Sequence, residues 1–155
     1  MERPRLGEFL VAQGLLREEE LARALELQRR SGERLGRILL ALGYVRRKDL
    51  YRALSTLWGL PFVLLTEERP DPRLLRRWPL EEALRHRALP LRLRKDGTLL
   101  VAVSERPGEA LEAALEKRFS AKAFLFLVTT DWDIDWTLRT YYKGPILDRA
   151  VYALY

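Results

Sequence analysis

The feature that most constrains this chain is a tandem repeat within its first sixty residues. RLGEFLVAQGLLREEELARALELQ, residues 5–28, is followed at an offset of 29 by RLGRILLALGYVRRKDLYRALSTL, residues 34–57. The matched pairs are Arg5/Arg34, Leu6/Leu35, Gly7/Gly36, Leu10/Leu39, Gly14/Gly43, Leu21/Leu50, Ala24/Ala53 and Leu25/Leu54. Self-similarity at a constant offset is typical of a duplicated supersecondary unit, so we expect two copies of one local structure.

Apolar residues within each copy are spaced at three and four, which is a helical period. Leu6, Phe9 and Leu10 predict a short helix that ends at Gly14, where a left-handed residue costs least. A second, longer helix carries Leu21 and Leu25 one turn apart. Each copy is therefore predicted to be a short helix, a glycine turn and a longer helix, and two copies make a four-helix unit. Arg17 and Arg46 stand at the start of the longer helices, where neither would cap well.

The remainder of the chain predicts a small α/β subdomain. Residues 79–86 have helical spacing, and the Lys95-Asp96-Gly97-Thr98 sequence is a hairpin signal between two apolar runs. The predicted order is strand 87–94, strand 98–103, helix 110–119, strand 122–128, and a helix that Thr130 or Asp131 caps and that reaches Tyr142.

The predicted fold class is α+β, with an N-terminal four-helix tandem-repeat subdomain followed by the α/β subdomain. We place the helical subdomain at residues 1–64 and the α/β subdomain at 79–145. Residues 65–78 are interpreted as a linker, since Pro70 and Pro72 interrupt helices. The apolar tail 146–155 is interpreted as a helix, complete or truncated, that docks on this domain or leads into a further segment.

Composition excludes several kinds of protein. No apolar run approaches the ~18 residues that span a bilayer, and the first residues lack the apolar stretch of a signal peptide, so we expect a cytoplasmic protein. There is no cysteine, and a single histidine, His86, makes a metal site improbable. No glycine-rich loop ending in Gly-Lys-Ser/Thr is present. We therefore expect no enzyme activity and no cofactor.

Two features of the last predicted helix have structural interpretations. Trp132 and Trp136 are four residues apart, a spacing typical of aromatic residues that pack against a core. A partner-docking surface is the alternative. Asp133 and Asp135 are two apart and so lie on different faces of the helix, which argues against a concerted carboxylate pair.

The repeated Arg-Leu-Gly at a helix start is the chemically suggestive part of the sequence. Exposed N–H groups and the positive dipole end favour an anion there, and an arginine supplies a planar fork that grips phosphate. Two such devices suit a ligand with two equivalent halves. The net charge of +6 and the predominance of arginine, 23 of 28 basic residues, agree with an anionic ligand. Alternatively, Arg-Leu-Gly only starts and packs a helix, and the arginine bias reflects GC-rich coding or heat adaptation.

The paired 24-residue pattern with its five-residue spacer resembles the MshEN domain of type II secretion and type IV pilus ATPases. The resemblance continues through Trp58-Gly59-Leu60-Pro61-Phe62-Val63, Leu89-Pro90-Leu91 and Asp96–Val103, to about Tyr142. Members of that family bind cyclic di-GMP, with one motif for each half of the dinucleotide. The resemblance implies that arginines meet guanine or phosphate, glycines admit the backbone, and leucines bury guanine and ribose.

Carried onto this sequence, the resemblance implies two half-sites. The first consists of Arg5, Leu6, Gly7, Leu10, Gly14, Leu21, Leu25 and Gln28, and the second of Arg34, Leu35, Gly36, Leu39, Gly43, Leu50 and Leu54. The second copy departs from the pattern, because Leu57 stands where the pattern has glutamine. The loss of one hydrogen bond costs on the order of 1 kcal/mol.

Three functional hypotheses follow. The first is a regulatory domain that binds cyclic di-GMP and controls an effector ATPase or a membrane-associated assembly protein of pilus, secretion or exopolysaccharide machinery. The second is a protein-docking module with no ligand, which Leu57 favours. The third is non-specific nucleic-acid binding, which the interspersed acidic residues disfavour because they leave no long basic stripe.

Overall fold

The computed structural model describes residues 5–142. The chain divides into two compact units, Met1–Gly59 and Leu60–Tyr155, which we call the helical unit and the α/β unit. The predicted tail, residues 146–155, lies outside the described residues. A mixed α+β fold with the helices of the repeat first is confirmed.

The helical unit contains the four helices predicted from the repeat. They are α1 (Leu6–Ala12), α2 (Glu18–Ser31), α3 (Leu35–Ala41) and α4 (Arg47–Trp58). Gly14 and Gly43 follow the short helices with φ of 74° and 73°, the left-handed conformation predicted for them. A glycine in the left-handed conformation therefore ends the short helix in both copies.

The two copies pack reciprocally in the helical unit. The first short helix contacts the longer helix of the second copy, α1 on α4, and the second short helix contacts the longer helix of the first, α3 on α2. The residues buried in this unit are mainly aliphatic: Leu10, Leu16, Ala24, Ile38, Leu39, Val45, Leu50, Tyr51 and Ala53. The duplication thus builds one shared core from two sequence-similar halves.

The α/β unit follows the predicted order of strand, strand, helix, strand and helix. Its elements are α5 (Pro72–Leu75), α6 (Leu80–His86), β1 (Ala88–Leu93), β2 (Thr98–Val103), α7 (Glu109–Arg118), β3 (Ala123–Val128) and α8 (Asp131–Tyr141). The strands form one sheet in the order β1-β2-β3, antiparallel between β1 and β2 and parallel between β2 and β3. The parallel pair is joined by α7, as a parallel connection requires a crossover.

The predicted hairpin forms between β1 and β2. Gly97 adopts a φ of 91°, and the Asp96 carboxylate accepts a hydrogen bond from the Thr98 backbone N–H at 2.9 Å. Pro90 lies in β1, an edge strand, next to a register shift between Pro90 and Arg92. An edge strand accommodates proline because its missing N–H removes no bond from the interior of the sheet.

The segment 65–78 differs from the linker predicted for it. Leu65, Leu74, Leu75 and Trp78 are buried in the core of the α/β unit. Pro72 does not interrupt a helix, because it occupies the first position of α5, where its missing N–H is not needed. Trp78 donates a hydrogen bond from Nε1 to the Ala88 carbonyl at 2.9 Å. The segment belongs to the α/β unit, which begins at Leu60 rather than after a linker.

The prediction for Trp132 is also corrected. Trp132 is 41% exposed and stacks on the half-buried Trp136, with ring centroids 6.4 Å apart and planes 11° from parallel. The buried face of α8 carries Ile134 and Leu138 instead, so the helical period turns both tryptophans away from the core.

A buried ion cluster joins the end of α6 to α8, and no local sequence pattern predicts it. Arg87 is only 3% exposed and has a left-handed φ of 49°. Its guanidinium lies 3.2 Å from Asp131 Oδ1 and 2.9 Å from Asp135 Oδ1. Burial alone would lower the pKa of Arg87, but the two carboxylates outweigh it and raise that pKa. The cluster holds the end of α6 against α8.

Asp133 points into a separate network, as its distance of two residues from Asp135 predicts. Its Oδ2 accepts hydrogen bonds from the Leu65 backbone N–H at 2.9 Å and from the Thr129 hydroxyl at 3.2 Å. Both aspartates are buried and serve different contacts, so the structure gives them no shared chemistry.

Candidate functional site

Arg5 and Arg34 occupy equivalent places in the two copies. Each is the N-cap residue of a seven-residue helix, has an extended backbone and is exposed. The repeated arginine therefore stands directly before the helix in both copies, as the sequence predicts.

The two repeated glycines lie against a leucine of the longer helix in their own copy. A Cβ on Gly7 would stand 2.5 Å from Leu21 Cδ1, and a Cβ on Gly36 would stand 3.3 Å from Leu50 Cδ2. Contacts shorter than about 3.4 Å force the neighbouring atoms to shift. Packing of the short helix on the longer one thus accounts for glycine at both positions, and more stringently for Gly7.

The leucines predicted for the site divide into a core group and a surface group. Leu10, Leu39 and Leu50 are at most 1% exposed, so in this structure a ligand at the surface does not reach them. The other predicted leucines are accessible: Leu6, Leu21, Leu35 and Leu54 are half-buried and Leu25 is 40% exposed. The accessible group is the set that can cover a flat apolar ligand face.

A short surface stripe runs along each longer helix. In α2 it consists of Leu21, Leu25 and Gln28, which are one turn apart. Gln28 is half-buried, and its side-chain amide makes no hydrogen bond to the part of the chain that the structure describes. This amide is therefore available to a polar group on a ligand.

The equivalent stripe in α4 consists of Leu50, Leu54 and Leu57. It differs from the α2 stripe at both ends, because Leu50 is fully buried and Leu57 replaces the amide with an apolar side chain. The two half-sites implied by the sequence are thus similar in backbone and unequal in surface.

The two copies of the repeat also differ in charge. Residues 5–28 carry three arginines and five glutamates, whereas residues 34–57 carry five arginines, one lysine and a single aspartate. The second copy is therefore strongly basic and the first is slightly acidic. An anion in the neighbourhood of the repeat is attracted mainly by the second copy.

The described contacts of His86 lie within the α/β unit. His86 lies at the end of α6, with Nε2 3.7 Å from Glu82 Oε2 and its ring 6.3 Å from that of Trp78. Between residues 5 and 142 no group of three or more His, Cys, Asp or Glu side chains is placed to hold a metal ion. None of the helices in that range is long and apolar enough to cross a bilayer.

Comparison with known proteins identifies the family. The model of the MshEN domain matches residues 58–146, which is more than half of the chain. This chain belongs to the MshEN domain family. The predicted resemblance is therefore confirmed, although the matched segment lies almost entirely in the α/β unit rather than in the repeat. A search of curated proteins found no match.

Solved structures extend the likeness to the helical unit. A structure described as MshE with cdg has 32% identity and a TM-score of 0.73, and the alignment covers 90% of this chain and 100% of that one. Because only about a tenth of the chain is left out, the alignment includes most of the tandem repeat.

Two crystal forms of the N-terminal domain of XpsE share the fold. One has 21% identity and a TM-score of 0.63, and the other has 23% identity and a TM-score of 0.54. In both, the alignment covers 92% of this chain and 100% of the other.

Proposed function

We propose that this chain is a regulatory domain that binds cyclic di-GMP through its tandem repeat and controls an attached or partner effector of pilus, secretion or exopolysaccharide machinery. The observation that carries the proposal is the likeness to the MshE structure described with cdg, which we take as cyclic di-GMP, over 90% of the chain.

The arginines provide the polar part of the proposed site. Arg5 and Arg34 are exposed at matching places in the two copies, which suits a ligand whose two halves are identical. A guanidinium fork can take two phosphate oxygens at once or lie flat on a purine, and lysine does neither as well. The basic surface of the second copy adds attraction for a ligand with two negative phosphates.

The accessible leucines provide the apolar part. Leu21, Leu25 and Leu54 lie on the longer helices and are at least partly open to solvent. A purine has apolar faces of a size that such side chains can cover, and each Å² of apolar surface removed from water contributes about 25 cal/mol. Leu10, Leu39 and Leu50 support these surfaces from the core.

A docking module without a nucleotide ligand is the second candidate. It is favoured by Leu57, which removes one polar contact from the repeat, and by the exposed Trp132 on α8. Exposed tryptophan is enriched where proteins bind one another.

Calorimetric titration of the whole chain with cyclic di-GMP tests the proposal, with GTP as a control that has guanine and phosphates but only one base. We expect binding of cyclic di-GMP at about micromolar or tighter, near −8 kcal/mol, and at least tenfold weaker binding of GTP. A folded sample that gives no heat with cyclic di-GMP would reject the sensor and leave the docking module.

A further inference from the structure

Some matched positions of the repeat carry opposite charges in the two copies. They are Glu8/Arg37, Glu18/Arg47 and Glu19/Lys48. The last two pairs are neighbours and lie at the start of the longer helix, α2 or α4. Because the two copies have the same backbone, the chain presents one local surface twice, once with carboxylates and once with cations.

Helix stability favours these charges in only one of the copies. The exposed N–H groups at a helix start carry partial positive charge, so carboxylates stabilise that end and cations destabilise it. The first turn of α2 contains Glu18 and Glu19, whereas α4 has Arg47 and Lys48 at the same positions. A contact outside the helix is therefore the better explanation for the cations of α4.

Exposed charges remain available at both helix starts. Four exposed side chains make no ion pair within residues 5–142: Glu18, Glu19, Arg46 and Lys48. Arg17, which matches Arg46, is instead paired with Glu20, with Nε 3.5 Å from the carboxylate. Arg23 and Arg52, further along the helices, are the same in both copies and do not distinguish them. The start of α2 thus offers two carboxylates, and the start of α4 offers two cations.

The turn before each longer helix also exposes a leucine. Leu15 follows Gly14 in the first copy and is 39% exposed, and Leu42 precedes Gly43 in the second copy and is 37% exposed. We call Leu15, Glu18 and Glu19 the acidic patch, and Leu42, Arg46 and Lys48 the basic patch. Each patch combines an apolar side chain with charges of one sign, as surfaces that bind proteins do.

We propose that the chain associates with a second copy of itself, with the acidic patch of one molecule on the basic patch of the next. An anionic membrane or a nucleic acid would complement only the basic patch, whereas a second copy complements both. Contact between two different patches is heterologous, so it closes into a ring where the rotation allows and otherwise grows as a chain. The inference does not depend on the proposed function, because neither patch contains a residue of the dinucleotide site.

Sedimentation velocity of the whole chain without nucleotide, over a range of concentrations, tests the inference. It would be run at about 20 mM and about 300 mM salt, between which the screening length falls from roughly 20 Å to roughly 6 Å. We expect association at low salt with a dissociation constant of about 10–100 μM, and at least about tenfold weaker association at high salt.

Variants at one matched pair separate this contact from a general effect of charge. Glu19→Lys and Lys48→Glu each place like charges opposite one another and should weaken association at least about tenfold at low salt. The double variant exchanges the two charges and should return to within about threefold of the wild type. Glu116→Lys and Arg106→Glu make the same changes in net charge at exposed positions of the α/β unit and should leave association unchanged.

Leu42→Asn tests the apolar part of the contact. It should weaken association at both salt concentrations, because salt does not screen the contact of apolar side chains. Thermal melts of all variants check that they fold.

Three results would overturn the inference while leaving the proposed function intact. The first is a folded wild type that stays monomeric at low salt at every concentration. The second is association of Glu19→Lys or Lys48→Glu that equals that of the wild type. The third is a double variant that associates no better than the single variants. Conversely, a wild type that associates as expected but binds no cyclic di-GMP would reject the proposed function and leave this inference standing.

Discussion

The two copies of the repeat have the same backbone and different surfaces. Both begin with an exposed arginine, end the short helix with a left-handed glycine, and bury the same leucine of that helix, Leu10 or Leu39. They differ in charge, in the burial of Leu21 against Leu50, and in the residue at Gln28 or Leu57. The features shared by both copies determine the course of the backbone and the core. The features that differ lie mostly on the longer helices.

This difference helps to distinguish matched residues that maintain the fold from matched residues that contact a ligand. A residue that recurs because the fold needs it should cost stability when it is changed, and one that recurs for a ligand should cost affinity. The same substitution made in both copies separates the two roles, since each copy serves as the control for the other.

The largest expected effect is on stability, at the matched leucines of the longer helices. Leu50→Ala removes a side chain that is 1% exposed and should destabilise the chain by roughly 2–4 kcal/mol. Leu21→Ala removes a half-buried side chain and should cost about 1 kcal/mol. Urea denaturation followed by circular dichroism measures both. Equal losses would show that the two longer helices contribute equally to the core.

The matched glycines should differ by a smaller amount. In Gly7→Ala the new Cβ would stand 2.5 Å from Leu21 Cδ1, so the Leu21 side chain has to shift. We expect the free energy of unfolding to fall by about 1 kcal/mol net of the gain in helix propensity. Gly36→Ala meets Leu50 at 3.3 Å, and the same gain should bring the net change to within about 0.5 kcal/mol. Denaturation midpoints of the two variants decide the comparison. A greater loss for Gly36→Ala would contradict the packing assigned to these glycines.

The smallest expected difference in stability between the copies is at the start of the longer helix. In α2 the Glu20 carboxylate accepts a hydrogen bond from the Arg17 backbone N–H at 3.0 Å. This bond lowers the pKa of Glu20. The matched residue in α4, Asp49, is one methylene shorter and makes no such bond within the described residues.

Glu20→Ala should therefore lower the melting temperature slightly at pH 7, and Asp49→Ala should not. Because the pKa of Glu20 is lowered by folding, its contribution is present above its ordinary pKa of 4.5 and is lost as the pH falls below that value. Melting curves at pH 7 and pH 3 check this, with Glu20→Gln as the control that keeps an uncharged acceptor. A deficit in Glu20→Ala that is unchanged at pH 3 would contradict the assignment.

Much of the fold follows from local pattern. Helical periods, the glycines at the ends of short helices and the Asp96-Gly97 turn are properties of a few neighbouring residues, and all of them are confirmed. The position of Glu20 three residues after Arg17 is also a local capping pattern, which explains how α2 starts without a capping side chain on Arg17.

The features that were missed depend on the rest of the chain. The sequence pattern marks Pro72 as a helix breaker, but its effect depends on whether it lies at the first position of a helix. The spacing of Trp132 and Trp136 predicts that both lie on one face of the helix, but it does not predict whether that face is buried. The burial of Arg87 depends on two aspartates more than forty residues away.

Identity between the two copies predicts which residues belong to the candidate site, but it does not predict which of them are exposed. Identity between the copies selects Leu10, Leu39 and Leu50 as readily as Leu25, although the first three lie in the core and Leu25 is at the surface. Duplication retains both core and surface residues, so a repeat alone does not separate them.

The central claim is that the two copies hold one dinucleotide together, and calorimetry on the two matched arginine variants tests it most directly. Arg5→Ala and Arg34→Ala would be titrated with cyclic di-GMP beside the wild type and Arg106→Ala, a control that removes an exposed arginine of the α/β unit. We expect one dinucleotide per chain in the wild type and in the control, and a loss of at least about tenfold in affinity in each of the two variants. Unchanged affinity in either variant, or two dinucleotides bound per chain, would contradict a single site shared by the two copies.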